Sequence, residues 1–577
     1  MCAPGDGLPR VRNCFLWRLL PSLILLIGCL SVLPAQSLQG NFIPSFYGID
    51  SNNALVNLAD VTGATSLYNA GIYGQNTISW VVDAQLAGTN LFPAVKFSNL
   101  ASSYASADAL TDPGNHATWC AALLGGFAAP GYYLNTGIAP STTLGSAALA
   151  TATNADGSFS ISDLSLSAYN YAASHGDVLS TSIGDSSDPA GIGTLSGLID
   201  SLAVAHPNTT IVASAGNSGL TGSVGGPASG YNAISVGALD GATNYNVVAD
   251  FSSRGHQTTA WYDGTNTFYA DGGRITRPGV DLMAPGASIV MPATMSMGSN
   301  SVSFTYYSLA GTSFAAPLVA GGVALLDSVA HTAIGFAGVS NAATQSVVIK
   351  AVLMNSADKL PGWDNGQQMM NGVITTTQAL DWAMGAGRMN LNAAFSQYTT
   401  SAYVTTTQGI SSTGFNIAVG NVGWGYGTAL LGMGNNYHLA NELFAGQQVA
   451  VTLDWLRSRA WNDTLHDYVD LAQAELDLMV YRMITGGADQ LVAQSVSPVS
   501  TTQELFFNLQ DSGNYFIHIG YSTNLFDLSG NYASQNYGIA WSVSDVPEPG
   551  SALLIVIGGI TLFAWPFLRN LRSSVLA

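Results

Sequence analysis

The sequence predicts an α/β protein with a doubly wound, mostly parallel sheet, followed by a smaller all-β sandwich and a C-terminal transmembrane helix. Up to about residue 400, short β-branched runs alternate with alanine-rich stretches of helical spacing, which is the pattern of a parallel sheet covered by helices. Beyond that point the spacing changes to period two, and residues 551–568 are almost entirely apolar. A chain of 577 residues is long enough for two folded domains and terminal segments.

The first predicted domain covers residues 36–399. Its β-branched runs are expected to form buried strands, and the first of them ends at a carboxylate, Asp83. The predicted strands are residues 78–82, 210–215 and 233–238, and the predicted helices are residues 194–206, 315–329 and 345–355. In a doubly wound sheet the ligand site lies at the carboxyl ends of the strands. Polar side chains that directly follow these strands are therefore the first candidates for function.

The second predicted domain covers residues 400–545. Residues 449–455 and 515–519 alternate between the two faces of an extended chain and are separated by turns. A period of two is typical of antiparallel strands that bury one face. This segment is therefore predicted to form an all-β sandwich.

The N-terminus has the order of a secretory signal peptide. Three arginines stand among the first 18 residues, and the apolar run 19–33 and the small residue Ala35 follow them. We therefore predict a signal peptide over residues 1–35, with a retained membrane helix as the alternative. Residues 26–29 also resemble a bacterial lipoprotein processing site, which would lipidate Cys29.

The C-terminal residues 546–577 form a second targeting segment. A Pro-Glu-Pro triplet at 547–549 precedes the apolar residues 551–568, and Arg569 and Arg572 follow them. The physical expectation is one membrane span with a positive cytoplasmic flank. The segment resembles the PEP-CTERM sorting signal of Gram-negative bacteria, which implies an exosortase-type processing enzyme as a partner; an ordinary anchor is the alternative. Either places the folded part in the cell envelope or at the cell surface, or releases it after C-terminal processing.

Charge and cysteine content exclude two classes of protein. Lys plus Arg number 15 against 34 Asp plus Glu, a formal charge of −19, which repels a phosphate backbone, so nucleic acid is not expected as a partner. Three of the four cysteines fall within residues 1–35. Only Cys120 would remain after cleavage, so we expect no intrachain disulfide.

Residues 311–317, Gly-Thr-Ser-Phe-Ala-Ala-Pro, are the most informative motif of the chain. Gly311 permits a sharp turn into a helix with Ser313 at its N-terminal end, and we expect Pro317 to be tolerated because an early-turn N–H lacks an intrahelical acceptor. A hydroxyl at the positive end of the helix dipole lies where a developing oxyanion is also stabilised. A helix-capping serine is the structural alternative.

Three further side chains occupy comparable positions. Asp83 ends a strand, His116 begins a helix of small residues, and Asn217 follows a buried strand between glycines. An acid, a base, an amide donor and a hydroxyl at element ends together suit nucleophilic catalysis.

These motifs resemble those of the subtilisin-like (S8) serine peptidases over roughly residues 60–395. The resemblance implies a subtilisin-like fold and an exported endopeptidase that hydrolyses protein or peptide substrates through an acyl-enzyme, without a cofactor or a metal in the site. It assigns Ser313 as the nucleophile, His116 as the general base, Asp83 as the carboxylate that orients the base, and Asn217 as the oxyanion-hole donor.

The same resemblance implies two walls of a substrate cleft. One wall consists of Ser182, Ile183 and Gly184, and the other includes Ala215 and Gly216. Neither wall carries a charged side chain. The sequence therefore predicts a broad preference for apolar side chains at P1, the residue that supplies the scissile carbonyl.

The neighbours of the acid and the base depart from the family pattern. Ala84 follows Asp83 where the family usually has Thr or Ser, and Ala117 and Ala122 replace glycines. A methyl group there is tolerated if φ is negative and costs roughly 1 kcal/mol or more if φ is positive. These departures motivate the alternative of a weak or inactive peptidase scaffold that binds at the surface. Cys120, one helical turn after the histidine, is expected to pack beneath it.

The sandwich segment resembles the jelly-roll domains that follow the catalytic domain in many secreted members of this family. Asp463, Asp467 and Asp477 could join a calcium site, with solvated carboxylates as the alternative. A polysaccharide-binding adhesin is a further alternative that depends on the sorting signal alone.

Overall fold

A computed structural model describes residues 46–88, 90–92, 95–96, 100–126, 137–155, 158–297, 302–332, 336, 338–400, 403–405, 414–462 and 467–545. The predicted signal peptide with Cys29, the sorting signal with its membrane helix, and Asp463 lie outside the described residues.

Seven strands of the described chain form one parallel sheet, which confirms the predicted α/β domain. The predicted strands at 78, 210 and 233 are all present, within one residue at each end, because their β-branched side chains are buried on both faces. From one edge to the other the strands are Leu282–Pro285, Ile234–Leu239, Thr210–Ser214, Val178–Thr181, Ile78–Asp83, Thr143–Ala148 and Leu100–Ala105.

Helices cover both faces of this sheet, as expected for a doubly wound fold. The longest, Thr312–Thr332, packs on the central strands and is buried from its first residue to Ala330. Its length and apolar composition would allow it to cross a membrane. However, 94% of its most apolar 18-residue stretch is buried inside the protein, so it is the core helix of this domain. The described helices are Leu58–Val61, Thr65–Asn69, Asn115–Gly125, Ser167–Ser174, Thr194–Ala205, Thr312–Thr332, Ser340–Ala343, Ser346–Asn355 and Leu391–Tyr398.

The α/β domain also contains several small sheets of short strands. A four-stranded antiparallel sheet joins Tyr47–Ile49 and Leu55–Asn57 to the long hairpin Ile289–Met297 and Val302–Leu309. Two-stranded pairs are Leu86–Ala87 with Pro113–Gly114, Asn90–Phe92 with Val95–Lys96, Ala150–Thr153 with Phe159–Ile161, Gln257–Thr258 with Thr276–Arg277, and Ala260–Tyr262 with Thr267–Tyr269.

The later part of the chain is all-β, as predicted, and forms two sheets that enclose a second apolar core. The larger sheet contains Gln367–Met370, Val373–Thr376, Gln490–Ser495, Asp467–Arg482, Tyr515–Asp527, Met433–Leu439 and Asn416–Val419, with Ser458–Asn462 paired to Asp467–Arg482. The smaller contains Tyr403–Thr405, Val422–Leu430, Ser534–Ser544, Gln448–Trp455 and Thr502–Asn508. The hairpin 367–376 belongs to this sandwich although it precedes the expected boundary at residue 400.

Buried ion pairs join the sandwich to the α/β domain. Arg459 of the sandwich contacts Asp200 of helix Thr194–Ala205 at 2.8 Å and Asp470 at 2.6 Å, and all three side chains are fully buried. Lys359 of the α/β domain contacts the buried Glu504 at 2.6 Å. Gly197 allows the close approach, since a Cβ there would collide with the ring of Tyr468. The two domains therefore share a tightly packed, charged interface.

Candidate active site

The candidate site lies at the carboxyl ends of three neighbouring strands, Thr210–Ser214, Val178–Thr181 and Ile78–Asp83. The helices Asn115–Gly125 and Thr312–Thr332, which pack against each other, both begin at this edge. Strand ends and helix starts thereby bring together side chains that are far apart in the sequence. This is the edge where a parallel sheet places its ligands.

Asp83 and His116 form a hydrogen-bonded pair. Asp83 is the last residue of its strand and is fully buried, and its Oδ2 lies 2.8 Å from Nδ1 of His116, the second residue of helix Asn115–Gly125. The other carboxylate oxygen accepts a hydrogen bond from the backbone N–H of Ala84 at 2.6 Å. The carboxylate is therefore fixed on both oxygens, and it holds the Nδ1–H tautomer of the imidazole with Nε2 available as a base.

The pKa of His116 is set by two opposing effects. Burial of the ring lowers this pKa, whereas the Asp83 carboxylate and the Cys120 sulfur raise it, and the net result lies well above the usual value of 6.5. The side chain is still 17% exposed, so substrate and water can reach it.

Ser313 is the second residue of helix Thr312–Thr332 and is 9% exposed. Its Oγ lies 3.4 Å from the backbone oxygen of Ser182. The ring of the next residue, Phe314, packs against the His116 imidazole with ring centroids 5.7 Å apart. Ser313 therefore lines the cleft, and the next residue of its helix contacts the imidazole of the Asp83–His116 pair.

The expectation for Pro317 was wrong. Pro317 is the sixth residue of its helix, so an N–H there would have bonded the carbonyl oxygen of Ser313. That oxygen instead accepts hydrogen bonds from Ser182 Oγ at 2.9 Å and from Cys120 Sγ at 3.3 Å. Two side chains thus replace the missing helical hydrogen bond and fix the backbone of Ser313.

Cys120 packs beneath His116, as expected, with Sγ 4.0 Å from Nδ1. Burial raises the pKa of its thiol, although the neighbouring imidazole acts in the opposite direction. A buried, protonated thiol is a poor nucleophile. Its role in the site is to support Ser313 and His116.

Asn217 lies on the same cleft as Ser313. Its side-chain oxygen accepts hydrogen bonds from the backbone N–H of Thr312 at 2.8 Å and from the Thr312 hydroxyl at 3.0 Å. These bonds orient the amide so that its NH₂ group can donate to a ligand. The sequence analysis did not identify Thr312 as a site residue, although its position next to Ser313 was a signal for it.

The cleft has a volume of about 460 Å³ and is lined by both predicted walls. Ser182 and Gly184 line one side and Ala215 and Gly216 the other, whereas Ile183 is 3% exposed and is not among the lining residues. Alternation along the extended wall explains this, since neighbouring side chains point in opposite directions. The structure adds a carboxylate that the sequence reasoning missed: Asp185 lines the cleft one residue beyond the predicted wall.

The three alanines that depart from the family pattern fit without backbone strain. The side chain of Ala84 has no hydroxyl, but its backbone N–H supplies the hydrogen bond to Asp83. Ala117 and Ala122 lie inside a regular helix, are buried, and are not among the residues with positive φ. Because φ is not positive at either residue, the added methyl groups are tolerated without backbone strain.

The described residues offer one cluster with metal-ligand spacing, since the ligand atoms of Asp83, His116 and Cys120 lie within 4.8 Å of one another. The Asp83 and His116 atoms of this cluster are already hydrogen-bonded to each other. A metal would also require the Cys120 thiol to lose its proton, although the pKa of this thiol is raised. The cluster fits an oriented base better than a metal site. Asp467 and Asp477 cannot share a calcium ion, because they lie ten residues apart on one strand, roughly 33 Å.

Known proteins resemble this chain in sequence. The model of the Subtilase family, peptidase family S8, matches residues 87–422, which begin just after Asp83. A subtilisin of Bacillus sp. (strain TA39) is 40% identical over 114 residues, or 19% of this chain and 23% of that protein. An extracellular protease of Xanthomonas campestris pv. campestris is 34% identical over 161 residues, or 27% of this chain and 21% of that protein. The chain thus matches less than a quarter of the length of either relative.

Proposed function

Because the chain belongs to the subtilase family, whose model matches residues 87–422, we propose that it is a serine endopeptidase. The observation that carries the proposal is the placement of Ser313 and Asn217 on one cleft, beside the hydrogen-bonded Asp83–His116 pair. This set contains a nucleophile, a base with an oriented tautomer and an amide donor, which are the groups that acyl transfer requires.

In the proposed mechanism the Ser313 hydroxyl turns from the Ser182 carbonyl towards Nε2 of His116 as substrate binds. Ser313 Oγ attacks the peptide carbonyl while its proton moves to Nε2, and Asp83 stabilises the imidazolium through Nδ1. The imidazolium then protonates the leaving amine, which leaves an acyl-enzyme on Ser313. Water, deprotonated by the same Nε2, attacks the ester and restores the free serine.

The negative oxygen of each tetrahedral intermediate would bind between the Asn217 amide and the backbone N–H of Ser313. Thr312 prepares both donors, because it holds the Asn217 oxygen and directly precedes Ser313. Ser182 and Cys120 fix the Ser313 carbonyl on the far side of the residue. Donors fixed before the reaction cost no reorganisation during it.

We also propose that the protein is exported, as the sequence of residues 1–35 indicates. One of the relatives is named an extracellular protease, which supports this location. Retention in a Gram-negative envelope by the C-terminal segment 546–577, with processing by an exosortase-type enzyme, is the corresponding proposal for its final destination.

A fluorophosphonate probe tests the peptidase activity directly, because it reacts with an activated serine. We expect the wild-type protein to be labelled and Ser313→Ala to remain unlabelled. Ser529→Ala, an exposed serine of the sandwich, should label like the wild type. If the folded wild-type protein is not labelled, the peptidase is excluded and the surface-binding alternative is favoured; circular dichroism of each variant verifies the fold.

A further inference from the structure

The cleft beside Ser313 is rich in hydroxyl groups and has one charge. Its lining consists of seven serines, three glycines, Ala215, Asn217 and Asp185. This described lining carries no large apolar side chain, and Asp185 is its one charged residue. We propose, on the basis of the proposed peptidase function, that Asp185 makes the cleft selective for lysine or arginine at P1.

The Asp185 carboxylate is held in place by its own loop. Its backbone N–H and carbonyl form two hydrogen bonds with Gly226, at 2.7 and 2.9 Å. Its Oδ1 accepts hydrogen bonds from the backbone N–H and the hydroxyl of Ser187, at 2.8 and 2.6 Å. Within the part of the chain that the structure describes, Oδ2 has no such donor. One oxygen therefore fixes the carboxylate, and the other remains for a ligand.

The charge in the cleft is not neutralised by its lining. Neither lysine, arginine nor histidine is among the described lining residues, and the chain carries a formal charge of −19. A substrate cation would thus gain a charge-assisted hydrogen bond without displacing a protein cation. An acidic substrate side chain would be repelled by the same carboxylate, and an apolar one would leave it unpaired.

The shape of the cleft suits a long, thin side chain. Gly184, Gly216 and Gly225 line it with bare backbone, and a Cβ at Gly225 would collide with the carbonyl oxygen of Asp185. The aliphatic stem of a lysine or arginine can lie along these glycines while its charged end reaches the carboxylate. Because Ser313 and Asn217 line the same space, the side chain that enters it belongs to the residue whose carbonyl is attacked.

Matched peptide substrates with lysine or norleucine at P1 test the proposal, since the two side chains differ by the terminal ammonium group. We expect the wild-type kcat/KM to be higher for the lysine peptide. Asp185→Asn should lower the lysine-to-norleucine ratio roughly tenfold, the effect of losing a hydrogen bond to a charged group at a partly exposed site. Asp489→Asn, which removes an exposed carboxylate of the sandwich, should leave the ratio unchanged.

The outcomes separate this proposal from the proposed function. Efficient fluorophosphonate labelling with equal or better cleavage of the norleucine peptide overturns the role of Asp185 but leaves the peptidase intact. Failure of both labelling and cleavage overturns the peptidase. In that case the role of Asp185 is still tested by the binding of the same peptides, measured by fluorescence anisotropy, to Ser313→Ala and to Ser313→Ala/Asp185→Asn. Weaker binding of the lysine peptide to the double variant supports the proposal, and unchanged binding refutes it.

Discussion

Substitution of Arg459 by methionine removes the central charge of the interface between the two domains. The Arg459 guanidinium contacts Asp200 at 2.8 Å and Asp470 at 2.6 Å, and it donates to the backbone oxygen of Gly191 at 2.8 Å. Methionine is shorter than arginine but retains an unbranched apolar stem that packs where the arginine stem lies. The substitution therefore tests charge and hydrogen bonding more than packing.

The expected cost follows from what each carboxylate retains. Asp470 keeps a second buried cation, since Nε of Arg457 lies 2.8 Å away. Among the described residues, Asp200 keeps hydrogen bonds from the backbone N–H groups of Tyr231 and Asn232 and the more distant charge of Arg457, but no cation in direct contact. One buried carboxylate is thus left without a contacting counter-charge, and breaking a buried pair in this way costs about 3–5 kcal/mol.

The pH dependence of the loss has a definite sign. Burial raises the pKa of Asp200 in the native protein, and Arg459 partly opposes this. Without Arg459 the folded-state pKa rises further above the unfolded value, so the folded variant holds a proton that the unfolded chain releases. The stability of Arg459→Met should therefore fall as the pH rises through the raised pKa, and the difference from wild type should be smallest at acid pH.

Urea unfolding followed by tryptophan fluorescence measures this loss, with every protein made in the Ser313→Ala background to prevent autolysis. Arg482→Met is the matched control, because Arg482 pairs with Asp511 at 3.1 Å where the two side chains are 28% and 57% exposed. An exposed pair contributes at most about 1 kcal/mol. A cost for Arg459→Met no larger than that of the control would refute the reasoning, and partial recovery in Arg459→Met/Asp200→Asn would support it.

Two further predictions concern the proposed chemistry. Asn217→Leu removes one oxyanion donor and should lower kcat by about 10²–10³ with little change in KM, measured on a chromogenic peptide; an unchanged kcat would exclude the amide from the oxyanion hole. The pH profile of kcat/KM should show an acid inflection above pH 6.5, because the pKa of His116 is raised and the base must be neutral. Activity falls as the pH falls through that pKa. Asp83→Asn should move the inflection to lower pH while reducing kcat by about 10⁴, and an unmoved inflection would assign the titration to another group.

The sequence was sufficient for the strand ends and helix starts that carry the candidate site. Asp83 ends one β-branched run and Asn217 lies shortly after another, and such runs form strands wherever both faces are buried. Because parallel strands end at the same edge, their meeting with two helix starts follows from the fold class alone. The roles proposed for the four residues came from the family resemblance. The geometry of the site supports these roles.

The missed features depend on contacts that are distant in sequence. The charged interface of Arg459 with Asp200 joins residues 259 positions apart, and no local pattern relates them. The hairpin 367–376 has strand-like residues but no signal that it pairs with the sandwich. Asp185 follows the predicted wall directly, but its place in the cleft is set by backbone hydrogen bonds to Gly226, which is distant in the sequence.

The alanines that stand beside Asp83 and His116 in place of the usual family residues do not disturb the site. Backbone groups make the hydrogen bond that the missing side chain would have made and keep the helix regular. The Ala84 N–H binds Asp83, and Ala117 keeps regular helical geometry. In contrast, Pro317 makes the support of Ser313 depend on side chains, Ser182 and Cys120. The candidate site should therefore be more sensitive to substitutions beneath the nucleophile than to further changes beside the acid and the base.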